Sequence, residues 1–357
     1  MTTATSETIG FIGLGHMGHG MAKNIVDKGY ALTVMGRSRR APVDDLRGRG
    51  AAEAKSAAEL ATRSTIVFLC VTGSKEVEAI VRGESGLASG LRPGSIVVDC
   101  STSDPNSTIA LAAELAPKGV DFVDAPLSRT PKEAWEGTLD TMVGASAAVF
   151  ERLKPVLATW AGRIVHIGEV GDGHRMKLIN NFLSLGYAAL YAEALALSQK
   201  VGITPARFDS VIRGGRMDCG FYQTFMRWTL AGDRDAHKFT IANAFKDLRY
   251  LEAMADAAGI PNPMGESPDE PGEILVLLIM GAIFMSTALT IRDLIGERAI
   301  FRREQAVGLS ATAYLLAKIW VFCTATRPCL IRWARATTTR PSSRRSTWTP
   351  CGQTSSR

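Results

Sequence analysis

The sequence predicts an α/β fold, in which an N-terminal Rossmann-type doubly wound sheet is followed by an all-α domain. Three observations lead to this prediction. Short apolar runs alternate with helical segments through the first half of the 357-residue chain. A glycine-rich turn joins the first apolar run to the first helical segment. Beyond residue 168 the strand signals stop, and helical segments continue to residue 262.

The predicted strands are rich in Val, Ile, Phe and Leu and show little alternation with polar residues. This pattern is typical of parallel strands that helices cover on both faces. We expect strands at residues 8–13, 31–35, 65–71, 95–100, 121–127, 139–143 and 164–167. We expect helices between them at residues 17–28, 56–62, 75–81 and 105–116.

A long helix is predicted at residues 174–200, where Leu and Ala occupy most faces. Such a helix is expected to be buried, here between two domains. The expected domains are an NAD(P)-binding Rossmann domain at 1–168, an incomplete helical substrate and dimerisation domain at 169–267, a hydrophobic helical segment at 268–323 and a disordered basic tail at 324–357.

The glycine-rich turn carries GxGxxG at Gly13, Gly15 and Gly18. The first glycine permits a tight turn, the second lets a pyrophosphate approach the backbone, and the third lets helix and strand pack closely. The turn follows an apolar strand and opens a helix, which is the context that a dinucleotide site requires. We therefore expect NAD or NADP to bind here, and a glycine turn without a ligand is the alternative.

The end of the second predicted strand bears on the choice of cofactor. It reads Met35-Gly36-Arg37-Ser38-Arg39-Arg40, without the acid that would bind the ribose 2′-hydroxyl of NAD. Three arginines there favour the 2′-phosphate of NADP. A solvated basic loop that leaves both cofactors usable is the alternative.

Polar residues also follow the fifth predicted strand, at Ser128-Arg129-Thr130. Ligands bind at the carboxyl ends of strands in open α/β sheets. The two hydroxyls can donate hydrogen bonds to a substrate carboxylate, and the guanidinium can add a charged fork. An ordinary capped loop is the alternative.

The start of the long helix places Lys177 four residues before Asn181, on one helical face. A lysine and amides in an apolar helix are costly unless they are paired or used. Partial burial would lower the pKa of Lys177 and suit it to general acid–base chemistry. A solvent-facing polar patch is the alternative. For Lys246 and Asp247, the residues alone favour a surface ion pair.

Five segments together resemble the β-hydroxyacid dehydrogenase family, which includes 3-hydroxyisobutyrate and 6-phosphogluconate dehydrogenases. They are FIGLGHMGHGMAKNI at 11–25, DCST at 99–102, DAPLSRT with the following EGTL, GDGHRMKLINN at 171–181, and FKDL at 245–248. The resemblance spans residues 9–263. It implies hydride transfer between a small 3-hydroxy acid or acidic aldehyde and NAD(P).

The resemblance also implies roles for individual residues. Lys177 is the expected catalytic proton donor, and Asn181 orients the substrate. The expected substrate-binding residues are Ser128, Arg129, Thr130 and Lys246. The expected cofactor-binding residues are Gly13, Leu14, Gly15, His16, Met17, Gly18, Arg37, Ser38, Val71, Thr102 and Asp247.

One departure from the family pattern lies after Ser128. Two glycines are usual there, whereas this chain has Arg129 and Thr130, and is similar in this to the sulfolactaldehyde reductase branch. The added guanidinium predicts a substrate with a second, or differently placed, anionic group.

The net charge of +6 does not indicate nucleic-acid binding, because seven arginines lie after residue 323 and the rest of the chain is near −1. The six cysteines have neither CxxC nor zinc spacing, so no metal site is expected. A small anionic substrate is the expected partner. The start lacks a signal-peptide pattern, so residues 1–267 are expected in the cytoplasm.

The family resemblance stops near residue 265, and residues 274–291 then contain no charged side chain, as a membrane span would. Residues 270–322 resemble a fragment of the transmembrane domain of an ABC-2 type transporter. Truncation of the helical domain makes a family-like homo-oligomer doubtful. It also leaves open an alternative function, a membrane-associated NADP-binding fusion product without activity.

Overall fold

A computed structural model describes residues 7–37, 39–233, 236, 239–262 and 265. The expected hydrophobic segment at 268–323, its candidate span at 274–291 and the tail at 324–357 lie outside the described residues. Ser38 also lies outside them.

A mixed sheet organises the first part of the chain. Its described strands are β1 (Thr8–Ile12), β2 (Ala31–Met35), β3 (Ala52–Glu53), β4 (Ile66–Leu69), β5 (Ile96–Asp99), β6 (Asp121–Asp124), β7 (Leu127–Ser128), β8 (Leu139–Gly144) and β9 (Ala161–Gly168). They lie in the order β3-β2-β1-β4-β5-β6-β8-β7, with β9 paired to β8. The six strands β1 to β6 run parallel, whereas β8 is antiparallel to β6 and β7.

The strand order reverses direction between β1 and β4, which lie side by side at the centre of the sheet. In doubly wound sheets a crevice opens at this reversal, beyond the carboxyl ends of the strands. The glycine-rich turn leaves β1 at this point. The predicted α/β class is confirmed, and each of the seven predicted strands overlaps an observed one. The strand predicted at 121–127 is divided, because β6 ends at Asp124 and Leu127 belongs to the separate strand β7. The two-residue strand β3 was not predicted.

Helices cover both faces of the sheet. These are α1 (Gly18–Asp27), α2 (Ala41–Gly48), α3 (Ala57–Thr62), α4 (Ser74–Arg82), α5 (Leu87–Gly90), α6 (Pro105–Leu115), α7 (Pro131–Glu136) and α8 (Ala147–Leu157). Buried side chains of α1, α2, α7 and α8 form one apolar layer with the sheet, and those of α3 to α6 form the other. Since the central strands β4 and β5 are buried at every position, the apolar runs follow from burial on both faces.

The second part of the described chain is helical. It comprises α9 (Asp172–Lys200), α10 (Pro205–Ile212), α11 (Gly220–Ala231) and α12 (Ile241–Ala257). Its fully buried apolar cluster is small, with Leu195, Tyr222 and Met226 at its centre. Across the described ranges, no helix is both long and apolar enough to cross a lipid bilayer.

The expected burial of α9 is wrong for the described part of the chain. Leu183, Tyr187, Leu190 and Leu197 are 44–65% exposed along one side of the helix. These apolar residues recur at intervals of three, four and seven, as along one helical face. Among the described residues, the elements that contact α9 lie against its first turn and against the side facing away from these four residues.

Candidate functional site

The glycine-rich turn has the geometry of a phosphate cradle. Gly13 has φ +101°, and a Cβ there would lie 2.2 Å from the carbonyl oxygen of Cys70. A Cβ on Gly18 would lie 2.0 Å from the Gly13 carbonyl oxygen. At Gly15, by contrast, a Cβ would meet nothing within 4 Å. The fold therefore needs glycine at the outer two positions, while the middle one borders the open space where a pyrophosphate would approach.

Helix α1 begins directly after this turn, at Gly18. Its N-cap Met17 makes no side-chain cap, and its first turn has no acidic residue. The positive end of the helix dipole thus faces the crevice without a competing carboxylate from the helix itself. The residues present therefore fit the diphosphate of a dinucleotide. Leu14, His16 and Met17 lie in the same turn, as predicted.

Two further predicted cofactor residues follow the neighbouring strands β4 and β5. Val71 follows β4, and its Cγ1 would be 3.1 Å from a Cβ on Gly13. Its backbone N–H donates to the Ser101 hydroxyl over 3.0 Å. Thr102 lies after β5, next to Ser101, and its carbonyl oxygen accepts a hydrogen bond of 2.7 Å from Lys246. Val71 thus lies against the glycine-rich turn, whereas Thr102 lies near Gly73, where an added Cβ would be 3.2 Å from the Thr102 carbonyl oxygen.

The basic loop after β2 differs from the prediction that all three arginines are available. Arg40 is held by Glu53 through hydrogen bonds of 2.6 and 3.0 Å, and it also pairs with Asp44. Glu53 raises the pKa of Arg40 further above its ordinary value, because the hydrogen bond favours the cation. Within the described chain, no carboxylate pairs with the exposed Arg37 or with Arg39. Arg37 is therefore a better candidate than Arg40 to bind a 2′-phosphate.

The predicted substrate loop lies between β7 and α7. Arg129 adopts φ +86°, in the left-handed region. Its Nε lies 3.0 Å from Oδ1 of Asp140 on β8. Thr130 is the N-cap of α7 and forms a capping box with Glu133. Ser128 lies in β7, opposite Asp140.

Two residues of the substrate loop have structural contacts of their own. Thr130 fills the capping role that was weighed as the alternative, and Arg129 is anchored by Asp140. Among the described residues, no hydrogen bond joins Ser128, Arg129 or Thr130 to Lys177 or Asn181. The pairing of Arg129 with Asp140 raises the pKa of the guanidinium, so the side chain stays cationic.

The polar cluster predicted on the long helix forms at its contact with α12. The Asn181 amide donates to Oδ2 of Asp247 over 2.6 Å, and Lys246 Nζ donates to its Oδ1 over 2.7 Å. Asp247 is 3% exposed, so the expectation of a surface ion pair, based on the residues alone, is wrong. Lys246 also lies 4.7 Å from the ring centre of Tyr250. Since its ammonium group reaches Thr102, it joins the helical part to the sheet.

Lys177 lies in this cluster and is partly buried. The pKa of its amine is lowered from 10.5 to about 8. Burial is the main cause, the Asp247 carboxylate opposes it, and the Lys246 cation adds to the fall. An amine with such a pKa exchanges protons readily near neutral pH, as a general acid–base group must. Lys177, Asn181, Lys246, Asp247 and the Thr102 carbonyl are thus linked at the contact of α9 with α12.

A buried polar network below this cluster was not predicted as part of the site. Both oxygens of Asp124, at the end of β6, accept hydrogen bonds of 2.7 Å from the N–H groups of Gly171 and His174. His174 and Asp124 are fully buried, and Asp99 is 1% exposed. The signal available in the sequence was an acid at the end of each of two adjacent apolar strands.

Within the described ranges, no group of His, Cys, Asp and Glu could hold a metal ion.

Comparison with known proteins supports the cofactor assignment. Residues 8–168 match the family described as the NAD-binding domain of 6-phosphogluconate dehydrogenase. Residues 171–270 match the family described as NAD-binding of NADP-dependent 3-hydroxyisobutyrate dehydrogenase. The chain thus has a binding domain for NAD or NADP, as predicted.

Two relatives match over most of this chain. The 2-(hydroxymethyl)glutarate dehydrogenase of Eubacterium barkeri is 36% identical over 267 residues, which cover 72% of this chain and 86% of the relative. The 3-sulfolactaldehyde reductase of Escherichia coli K12 is 33% identical over 263 residues, which cover 73% and 88%.

A solved structure also has the same fold. The Mycobacterium tuberculosis 3-hydroxyisobutyrate dehydrogenase with L-serine superposes with a TM-score of 0.67 at 27% identity, and the alignment covers 81% of this chain and all of that one. On the strength of the matched families and the two relatives, the chain belongs to the β-hydroxyacid dehydrogenase family.

Proposed function

We propose that this protein catalyses NAD(P)-dependent hydride transfer to or from a small 3-hydroxy acid or acidic aldehyde, with Lys177 as the proton-transfer group. The observation that carries the proposal is the buried cluster in which Lys177 lies, where burial lowers the pKa of its amine to about 8. A bound nicotinamide cofactor supplies or accepts the hydride at the carbinol carbon of the substrate. The chain's own residues handle the proton and the charge.

Lys177 would hold the substrate oxygen and donate a proton to it during reduction. During oxidation the neutral amine would accept the hydroxyl proton. Asn181 is fixed by Asp247, which leaves its amide oxygen to orient a hydroxyl. Lys246 uses two of its three N–H groups on Thr102 and Asp247, so one remains for the substrate. Such prior fixing of the donors is a main source of catalytic acceleration.

The substrate acid would bind at the loop that contains Ser128 and Arg129. Arg129 contacts Asp140 through Nε, so its two terminal nitrogens can still present a fork to an anion. The names of the two relatives support a substrate with more than one polar group, since one acts on a glutarate and the other on a sulfonated aldehyde. We infer a substrate that carries an anionic group at the Arg129 end and the reacting carbon at the Lys177 end.

NADP is the cofactor we infer as preferred. Arg37 is exposed just after β2, and residues 35–40 contain no acid that could bind the ribose 2′-hydroxyl of NAD. In this proposal Gly13, Gly15 and Gly18 receive the diphosphate, while Val71 and Thr102 lie near the nicotinamide.

Turnover tests this proposal directly. The full chain is incubated with NADP⁺ or NAD⁺ and a set of 3-hydroxy acids with one or two anionic groups, and the absorbance of reduced nicotinamide is followed. We expect oxidation of at least one acid, faster with NADP⁺. The substitution Arg129→Ala should lower turnover of dianionic substrates more than turnover of monoanionic ones. Lys132→Ala, on the exposed face of α7, should change neither. Cofactor binding without turnover of any acid or acidic aldehyde would contradict the proposal.

That outcome would favour the alternative of a non-enzymatic NADP-binding fusion product. The matched families end at residue 270, so the transporter resemblance of residues 270–322 stays a prediction. Its test is sedimentation of the full chain with phospholipid vesicles. The family-like homo-oligomer also stays a prediction, which light scattering of the full chain can check.

A further inference from the structure

The first turn of α9 is tied to two neighbouring segments by the hydrogen bonds of one buried imidazole. His174 Nε2 lies 3.1 Å from the carbonyl oxygen of Ser101, in the loop after β5. Its Nδ1 lies 2.8 Å from the hydroxyl of Thr108 on α6. Because a carbonyl oxygen can only accept, Nε2 carries the hydrogen in this contact. The ring therefore links α9, α6 and the loop that bears Thr102.

The backbone of the same turn is fixed by Asp124. Its carboxylate accepts from the N–H groups of Gly171 and His174, which are among the donors that a helix N-terminus leaves without partners. Burial raises the pKa of Asp124, while the electrostatic interaction with His174 and these N–H donors oppose the rise. A Cβ on Gly173 would lie 2.5 Å from the Met142 carbonyl oxygen. The turn is thus packed directly against the sheet.

The charged groups around the imidazole come from two neighbouring strands. Asp99 Oδ2, from β5, lies 3.8 Å from Nε2. Asp124 Oδ2, from β6, lies 3.9 Å from Nδ1. Asp99 is itself held by the Ser101 N–H over 2.8 Å and by the Ser103 hydroxyl over 2.7 Å. The network therefore ties the loop on both sides of Thr102 to the start of α9.

This location matters because Lys177 follows His174 by three residues, less than one helical turn. On the other side of the site, Lys246 holds the carbonyl of Thr102. The distance between the Lys177 amine and the Thr102 loop is then set by how α9 sits on the loop. A rotation or lift of the first turn would move the amine and expose it to water.

We propose that His174 is a positioning residue, which through Ser101, Thr108 and Asp124 fixes Lys177 against the Thr102 loop. The proposal rests on the proposed function, because the geometry it sets is that of proton transfer. His174 itself does not touch the substrate. Its effect is the placement of Lys177 and the exclusion of water from it.

The test compares His174→Phe with His174→Gln in the full chain. Phenylalanine fills the space and makes neither hydrogen bond, whereas glutamine can donate to Ser101 and accept from Thr108. We expect His174→Phe to lower kcat by on the order of 100-fold, as a displacement of about 1 Å can do. The KM for the cofactor should stay within about twofold, and His174→Gln should recover most of kcat.

A second readout does not depend on turnover. Competitive labelling of lysines across a pH series, followed by mass spectrometry, reports the pKa of Lys177. Lys246 and Asp247 on α12 are the charged groups that act on this amine. We expect the pKa of Lys177 to rise in His174→Phe towards 10.5, because the amine becomes hydrated, and to return near 8 in His174→Gln.

The control is Tyr222→Phe, which removes a buried hydrogen bond of 3.1 Å to Asp209 far along the helical part of the chain. We expect it to change neither kcat nor the titration of Lys177. Should His174→Phe not fold, Thr108→Val decides. It removes the hydroxyl's bond to Nδ1, together with its longer bond of 3.2 Å to the Asp104 carbonyl oxygen, and keeps the ring's bond to Ser101. It should shift both readouts in the same direction.

Two results would overturn the proposal: an unchanged Lys177 titration and kcat in the His174 and Thr108 variants, or an equal loss of kcat in Tyr222→Phe. If the wild-type chain turns over no substrate, the proposed function fails. The labelling experiment would still show whether His174 fixes Lys177.

Discussion

Replacement of Lys177 by methionine should make the protein more stable while it abolishes proton transfer. The amine lies in a partly buried cluster, and burial is the largest cause of its lowered pKa. Methionine has a similar length and no charge, so it removes the desolvation cost without opening a cavity. Asp247 keeps Lys246 and Asn181 as partners, so the substitution leaves no buried carboxylate alone.

The size of the effect follows from the pKa of the amine. A fall from 10.5 to about 8 corresponds to roughly 3 kcal/mol, at about 1.4 kcal/mol for each pH unit. Below pH 8 the lysine is protonated in both the folded and the unfolded chain, so folding bears the whole cost. Between pH 8 and 10.5 the unfolded chain binds more protons, and the stability of the wild type therefore rises with pH. Above 10.5 the amine is neutral in both states and the cost is gone.

The assay is urea unfolding of the wild type and Lys177→Met across this pH range. We expect the variant to be more stable at pH 7 by up to roughly 3 kcal/mol, with the pH-dependent part of the difference vanishing as pH rises from 8 to 10.5. Lys132→Met is the matched control, because Lys132 is exposed and its partner Glu136 is 3.9 Å away. A difference that does not shrink with pH would refute the buried-amine explanation.

Three further predictions concern the cofactor and substrate loops. Gly15→Ala should fold normally but weaken NADP binding, measured by calorimetry, whereas Gly13→Ala should lower the melting temperature, since Gly13, unlike Gly15, lacks room for a Cβ. Arg37→Ala should weaken NADP binding by about tenfold or more, through the loss of one charge-assisted hydrogen bond, and leave NAD affinity unchanged. Arg40→Ala should change the affinities for NADP and NAD equally, because Glu53 holds its side chain. Arg129→Gly should be more stable to urea than Arg129→Ala by about 1 kcal/mol, because φ +86° strains any residue with a Cβ; equal stabilities would contradict this.

The elements predicted from the sequence were those whose signal is local. The glycine spacing identified the turn after β1, and uninterrupted apolar runs identified the central strands. The two-residue strands β3 and β7 carry no such signal, because they exist only through pairing with β2 and β8. The exposed face of α9 was misjudged, since an apolar face shows that a helix seeks a partner but does not show that the partner is present.

The site was predictable to a similar extent. The spacing of Lys177 and Asn181 placed them on one helical face, and in the structure both lie near Asp247. The burial of Asp247 could not be foreseen from its neighbours in sequence, since its partners Asn181 and Thr102-bound Lys246 meet only in the folded chain. The same holds for His174 and Asp124, which are separated by 50 residues.

The central claim is that Lys177 transfers the proton during turnover. The most direct measurement is kcat of Lys177→Ala in the full chain, together with its affinity for NADP. We predict a loss of about 10²- to 10⁴-fold in kcat, the usual contribution of a general acid–base group, with unchanged NADP affinity. Turnover within a fewfold of the wild type would show that another group moves the proton and would contradict this account.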